Sequence, residues 1–160
     1  MRRLIPFAVL IALAGLAQVT LLSDVRVFGA GPDLFLALCV IAAVSLDPRR
    51  ALLTGLFGGV LKDLFDPGPF AVNCIVFPLM TLLISRLNRT LPLESRLSCS
   101  IVTAISVLAV NITAWIMLAF AQVTLAQGAL LRIMFLESLL TALASAALFT
   151  FVKPADYSRP

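Results

Sequence analysis

Few residues in this chain of 160 could do chemistry, and most of them stand apart from one another. The densest group closes the stretch GLFGGVLKDLFD (55–66). Gly55, Gly59 and Asp63 recur there every four residues, with Gly58 beside them and Asp66 at the end. Positions four apart share one helix face, so that face reads as a smooth groove ending in a carboxylate. Two carboxylates do acid–base work only when both converge on one substrate atom. Asp63 and Asp66, three apart at a helix end, converge only loosely, and no third acid or metal motif supports them. The chain has no His. Cys39, Cys74 and Cys99 lie in or at the edge of apolar runs, form no CxxC pair, and read as small packing residues. No catalytic, cofactor-binding or metal-binding residue is therefore assigned, and the chain is not expected to be an enzyme.

The same residues suit a structural role better. A Gly-xxx-Gly face admits close approach of a second backbone, either another helix of this chain or a neighbouring protein. Carboxylates at a helix C-terminus oppose its dipole, so Asp63 and Asp66 call for compensation. Either both acids are solvated at the membrane interface, or Asp63 locks onto a basic group, with Lys62, Arg26 and Arg132 at the same level of the fold. Asn111 and Glu137 fall inside long apolar runs, where polar groups are costly and face the bundle interior or a cavity. Either the pair satisfies local helix contacts or it lines a polar pocket. Trp115, one turn beyond Asn111, reads as packing.

The elements that position these residues are membrane helices. Hydrophobic residues make up 61% of the chain and charged residues 12%, against about 45–50% and 25% in soluble domains. Uncharged runs long enough to span recur along the sequence. One integral-membrane domain over 1–160 is expected, all-α, with helices at about 4–22, 32–46, 48–65, 69–85, 97–121 and 129–152. The first run follows Arg2 and Arg3 and resembles a signal peptide in outline, but its length and the spans after it favour a retained helix. Pro32 and Asp33 open the second helix: Pro is tolerated in a first turn and Asp favours the positive end of the dipole. That helix is short, about 21 Å at 1.5 Å per residue. Asp47 and Pro48 open the third in the same way. A re-entrant hairpin would bury Arg49 and Arg50 at roughly 2.5–3.5 kcal/mol each, so two true spans are preferred. Pro67, Gly68 and Pro69 turn the chain back into the fourth helix, which Pro78 should kink.

Charge sets the orientation. With the N-terminus inside, Arg2, Arg3, Arg49, Arg50, Arg86, Arg89, Arg96, Lys153 and Arg159 all fall in the cytoplasm. Only Arg26, Lys62 and Arg132 fall at the outer level. This asymmetry follows the positive-inside rule and puts both termini in the cytoplasm. It also accounts for the net charge of +4 without nucleic acid, for which no basic and aromatic surface is present.

In order and spacing these motifs resemble the MreD family, small six-helix proteins of the bacterial rod-shape system. Pro32-Asp33-Leu34 looks like the family's entry to helix 2. Asp47-Pro48-Arg49-Arg50-Ala51 resembles its basic turn, and Gly55-xxx-Gly59-xxx-Asp63 its glycine helix. Phe70-Ala71 stands where the family usually carries Leu-Gly, and the C-terminal half matches in pattern only. The resemblance implies a non-enzymatic role in the inner membrane beside MreC. The wider complex would hold MreB filaments, RodA and a penicillin-binding transpeptidase, and would govern lateral peptidoglycan synthesis and cell shape. It also implies a fold likened to the substrate-binding subunits of energy-coupling-factor transporters. A vitamin-type transporter subunit is the alternative. That function needs several convergent polar groups in one pocket, and Asn111, Glu137 and Asp63 are the clear candidates.

Overall fold

The computed structural model describes residues 4–20, 31–65, 72–90, 95–120 and 127–151. Among them the chain forms six helices and no strand: α1 (Leu4–Thr20), α2 (Leu34–Ser45), α3 (Pro48–Phe65), α4 (Val72–Leu87), α5 (Arg96–Phe120) and α6 (Gln127–Phe151). Arg26, Asp66, the turn at Gly68 and the terminal basic residues lie outside the described residues.

The organising element is α2. It is 12 residues long, about 18 Å, and every residue from Phe35 to Val44 is buried. A helix apolar on all sides must be surrounded, and α1, α3, α4, α5 and α6 all pack on it. Its small residues, Ala37, Cys39, Ala42 and Ala43, are wholly inaccessible, and they let the neighbours come close. Two packed clusters result. One joins Phe35, Leu36 and Cys39 to Ile11 of α1, Phe77 of α4 and Val107 of α5. The other joins Val40, Ile41 and Val44 to Ala51, Ile84 and Phe149. Gly15 of α1 makes room for the first, since a Cβ there would overlap the Phe35 ring.

The start of α2 differs from expectation. Pro32 and Asp33 precede the helix and Asp33 is its N-cap, with extended backbone (φ −87°, ψ 90°). A carboxylate at that position satisfies an N–H that has no partner in the helix, and this outcompetes continuing the helix backward.

The surface is inverted relative to a soluble bundle. On α5 the outward row is bulky and apolar: Leu97, Ile101 and Ile105 are each more than half exposed. The inward row of the same helix carries Cys99, Thr103 and Ser106, all buried. On α6, Phe135, Leu139 and Leu143 face outward while Ser138, Thr141 and Ser145 face in. The buried hydroxyls of Thr103, Ser106 and Ser145 return their protons to carbonyls of their own helix, which makes them acceptable in an apolar interior. Small residues inside and large apolar ones outside is the arrangement helices adopt in lipid, where tight packing replaces the hydrophobic effect as the glue. The segments Leu97–Met117 and Arg132–Thr150 are long and apolar enough to cross a membrane. Pro78 lies inside α4, and the helix continues through it to Leu87.

Candidate functional site

The most polar point of the described fold is the entrance to α2. Asp33 is 3% exposed and Lys62 8%. One carboxylate oxygen of Asp33 accepts the Leu36 N–H at 3.0 Å, and the other accepts from the Lys62 ammonium. The backbone N–H of Asp33 donates to the Thr141 hydroxyl at 2.9 Å. The next N–H, of Leu34, donates to the Gln18 side chain at 3.0 Å. The Lys62 ammonium also stands 5.5 Å from the centre of the Phe77 ring, a cation–π distance. Five helices thus meet here: α1 through Gln18, α2 through Asp33, α3 through Lys62, α4 through Phe77 and α6 through Thr141. Each polar group takes up a backbone or charge partner that water would otherwise supply.

Lys62 therefore departs from its expected role beside Asp63. The Asp63 carboxylate turns to the start of α4, where it accepts the Asn73 N–H at 3.2 Å, the Asn73 side-chain amide at 2.8 Å and the Cys74 N–H at 2.8 Å. The reason is electrostatic. Asp63 opposes the dipole at the end of its own helix, but the N-terminus of the adjacent antiparallel helix offers free N–H groups and a positive end. Asp63 thus ties α3 to the start of α4, and its described partners are N–H groups of Asn73 and Cys74 in place of the expected basic side chain.

The glycine face is filled by the same neighbour. A Cβ at Gly55 would overlap the Thr81 hydroxyl and lie 2.8 Å from the Phe77 carbonyl oxygen and 2.9 Å from Pro78 Cα. At Gly59 it would overlap the Asn73 carbonyl and lie 3.0 Å from Cys74 Cα. Gly58 faces the Cys39 sulfur instead. Of the two readings open for this face, packing within the chain is the contact seen among the described residues, with α4 lying against Gly55 and Gly59.

The remaining candidates also act between helices. The Asn111 amide donates to Glu137 at 3.1 Å, joining α5 to α6. At the opposite end of α2, Ser85 donates to the Leu46 carbonyl at 3.0 Å and Asn88 to the Val44 carbonyl at 2.9 Å. The C-terminal end of the central helix is thus capped from α4 and its extension, while its start is capped by Asp33, Thr141 and Gln18. Reading the sequence alone missed Gln18, Phe77 and Thr141 and misplaced the partner of Lys62. A signal for the last existed: Asp33 lies 14 residues before Asp47 and Lys62 lies 14 after Pro48, so an antiparallel hairpin turning there sets the two side by side.

An all-helical bundle with Asp33, Lys62, Asp63 and Asn111 engaged between helices, and with bulky apolar residues outward, has the build of a membrane protein. The chain belongs to the MreD family: the family model described as rod shape-determining protein MreD matches residues 1–154. It is accordingly a rod-shape-determining membrane protein, of a family that is structural in role and part of the rod-shape complex. No curated protein and no solved structure matches it significantly.

Proposed function

We propose that this chain is a non-enzymatic scaffold of the bacterial inner membrane, with six spans and both termini in the cytoplasm. In this reading it binds MreC directly and helps set cell shape and lateral peptidoglycan synthesis alongside MreB, RodA and a penicillin-binding transpeptidase. The observation that supports a scaffold is the engagement of Asp33, Lys62, Asp63 and Asn73 with other helices of the same chain. A ligand-binding subunit needs several polar groups left facing a pocket, whereas these groups fix the mutual positions of helices. Rigid helices then present a constant outer surface to a partner helix, and association follows from shape and small polar contacts. With Gly55 and Gly59 spent on α4, docking falls to the outward apolar faces.

The test is affinity purification of the tagged chain from membranes that also hold MreC. Stoichiometric recovery of MreC supports the scaffold. Failure to recover it, together with a vitamin-sized molecule retained through purification, would replace the scaffold with the transporter-subunit reading.

A further inference from the structure

At the end of the bundle opposite the Asp33 entrance, α3 begins and α4 ends around a cleft of about 670 Å³. Arg49, Arg50, Arg86 and Arg89 line it. The cleft holds one acid, Asp47, whose contact with Arg50 is a 3.8 Å pair between partly exposed side chains, a weak arrangement in water. Four guanidinium groups against one carboxylate leave a net charge of +3 in a single concavity. Guanidinium groups bind phosphate through paired N–H donors.

The cleft is also amphiphilic. Pro48, Leu52 and Leu82 complete its lining, and each leucine lies one helical turn from an arginine, Leu52 from Arg49 and Leu82 from Arg86. From there the outward residues are apolar, with Leu53, Leu79 and Leu83 each half exposed or more. A free phosphate or an acidic peptide would use the arginines and leave this apolar track without an occupant.

We propose that the cleft is a binding site for an anionic phospholipid, its phosphate held by the arginines of α3 and α4 and an acyl chain laid along Leu53, Leu79 and Leu83. Positive charge at the membrane surface attracts acidic lipids in general. This site differs in gathering its arginines from two helices and the segment after α4 around one cavity. Its occupant would bridge the start of α3 to the end of α4. The proposal rests on membrane location alone and does not depend on MreC.

The experiment is native mass spectrometry of the full chain in a zwitterionic detergent. An equimolar mixture of phosphatidylglycerol and phosphatidylcholine with identical acyl chains is added. Glycerol phosphate and oligoglutamate are then added as competitors. The expected result is at least tenfold preference for phosphatidylglycerol. It should fall by about fivefold for each arginine removed in Arg49→Gln and Arg86→Gln, and remain unchanged in the charge-matched control Arg2→Gln/Arg3→Gln. Thermal melts confirm that the variants fold, and the wild-type lipid preference reads independently of them. Equal binding of the two lipids would overturn the proposal. So would equal loss in the control, or displacement of the lipid by glycerol phosphate or oligoglutamate at matched concentration.

Discussion

Replacing Lys62 by methionine keeps the length and apolar stem of the side chain but removes its charge. Asp33 would then keep the Leu36 N–H on one oxygen and lose the ammonium on the other, at a site only 3% exposed. Breaking a buried pair by deleting one partner costs about 3–5 kcal/mol, mostly the penalty of the charge left behind. The contact with the Phe77 ring, about 1–2 kcal/mol when desolvated, disappears as well. Asp33→Asn is the complementary perturbation. Asn caps helices about as well as Asp, so the bond from Leu36 survives, and the loss falls on the ion pair with Lys62. The double variant Asp33→Asn/Lys62→Met carries no charge at all, and such neutral replacements of buried pairs are often close to neutral in stability. The double variant is therefore expected within about 2 kcal/mol of the parent, with a coupling energy of at least about 2 kcal/mol between the two sites. Reversible unfolding by titrating SDS into mixed micelles, followed by far-UV circular dichroism and by the single tryptophan, Trp115, measures all four corners of the cycle. If Lys62→Met costs under about 1 kcal/mol, or the two losses simply add, the claim that this pair holds α2 to α3 is wrong.

Further expectations follow from the α3–α4 seam and the polar contacts. Gly55→Ala and Gly59→Ala should each destabilise by about 1–3 kcal/mol or more in the same assay, because backbone of α4 cannot yield to the new methyl. Gly58→Ala meets the Cys39 sulfur instead, so adding Cys39→Ala should recover much of its loss, whereas it should do nothing for Gly59→Ala. Asp63→Ala removes the acceptor for three N–H bonds and should cost about 2–4 kcal/mol, with Asp63→Asn intermediate since one oxygen remains. Asn111→Ala should lower stability by only about 0.6–1.7 kcal/mol, the range for single interhelical bonds in bilayers. A larger loss there would mean that Glu137 depends on Asn111 for more than the one bond described.

Much of the helical plan was legible because apolar runs, prolines and acids mark helix limits independently of tertiary context. Asp47-Pro48 opens α3 where their chemistry directs. Asp33 was legible as a helix-start residue, and Gly55 and Gly59 as a close-approach face. The partners were harder to read. Lys62 sits next to Asp63 in sequence, and proximity along the chain suggested a shared level and a shared role. On a helix, adjacent residues point about 100° apart, so Lys62 faces α2 while Asp63 faces α4. Thr141 gave no signal, because a threonine in an apolar run ordinarily bonds to its own helix. Only the arrival of α6 beside the start of α2 supplies it with the Asp33 N–H.

The short, enclosed α2 bears on how the chain enters the bilayer. A segment of 12 residues is too short to be held across about 30 Å of hydrocarbon by its own hydrophobicity, and it carries Asp33 at one end. Its stable position exists only once other helices wall it in, and one of the contacts that satisfies its entrance comes from Thr141, far along the chain in α6. The enclosed position of α2 therefore depends on helices made after it, and its entrance is completed only once α6 is present. A chain ending before residue 141 would lack the hydroxyl that takes up the Asp33 N–H, and a polar group left without a partner in an apolar interior is costly.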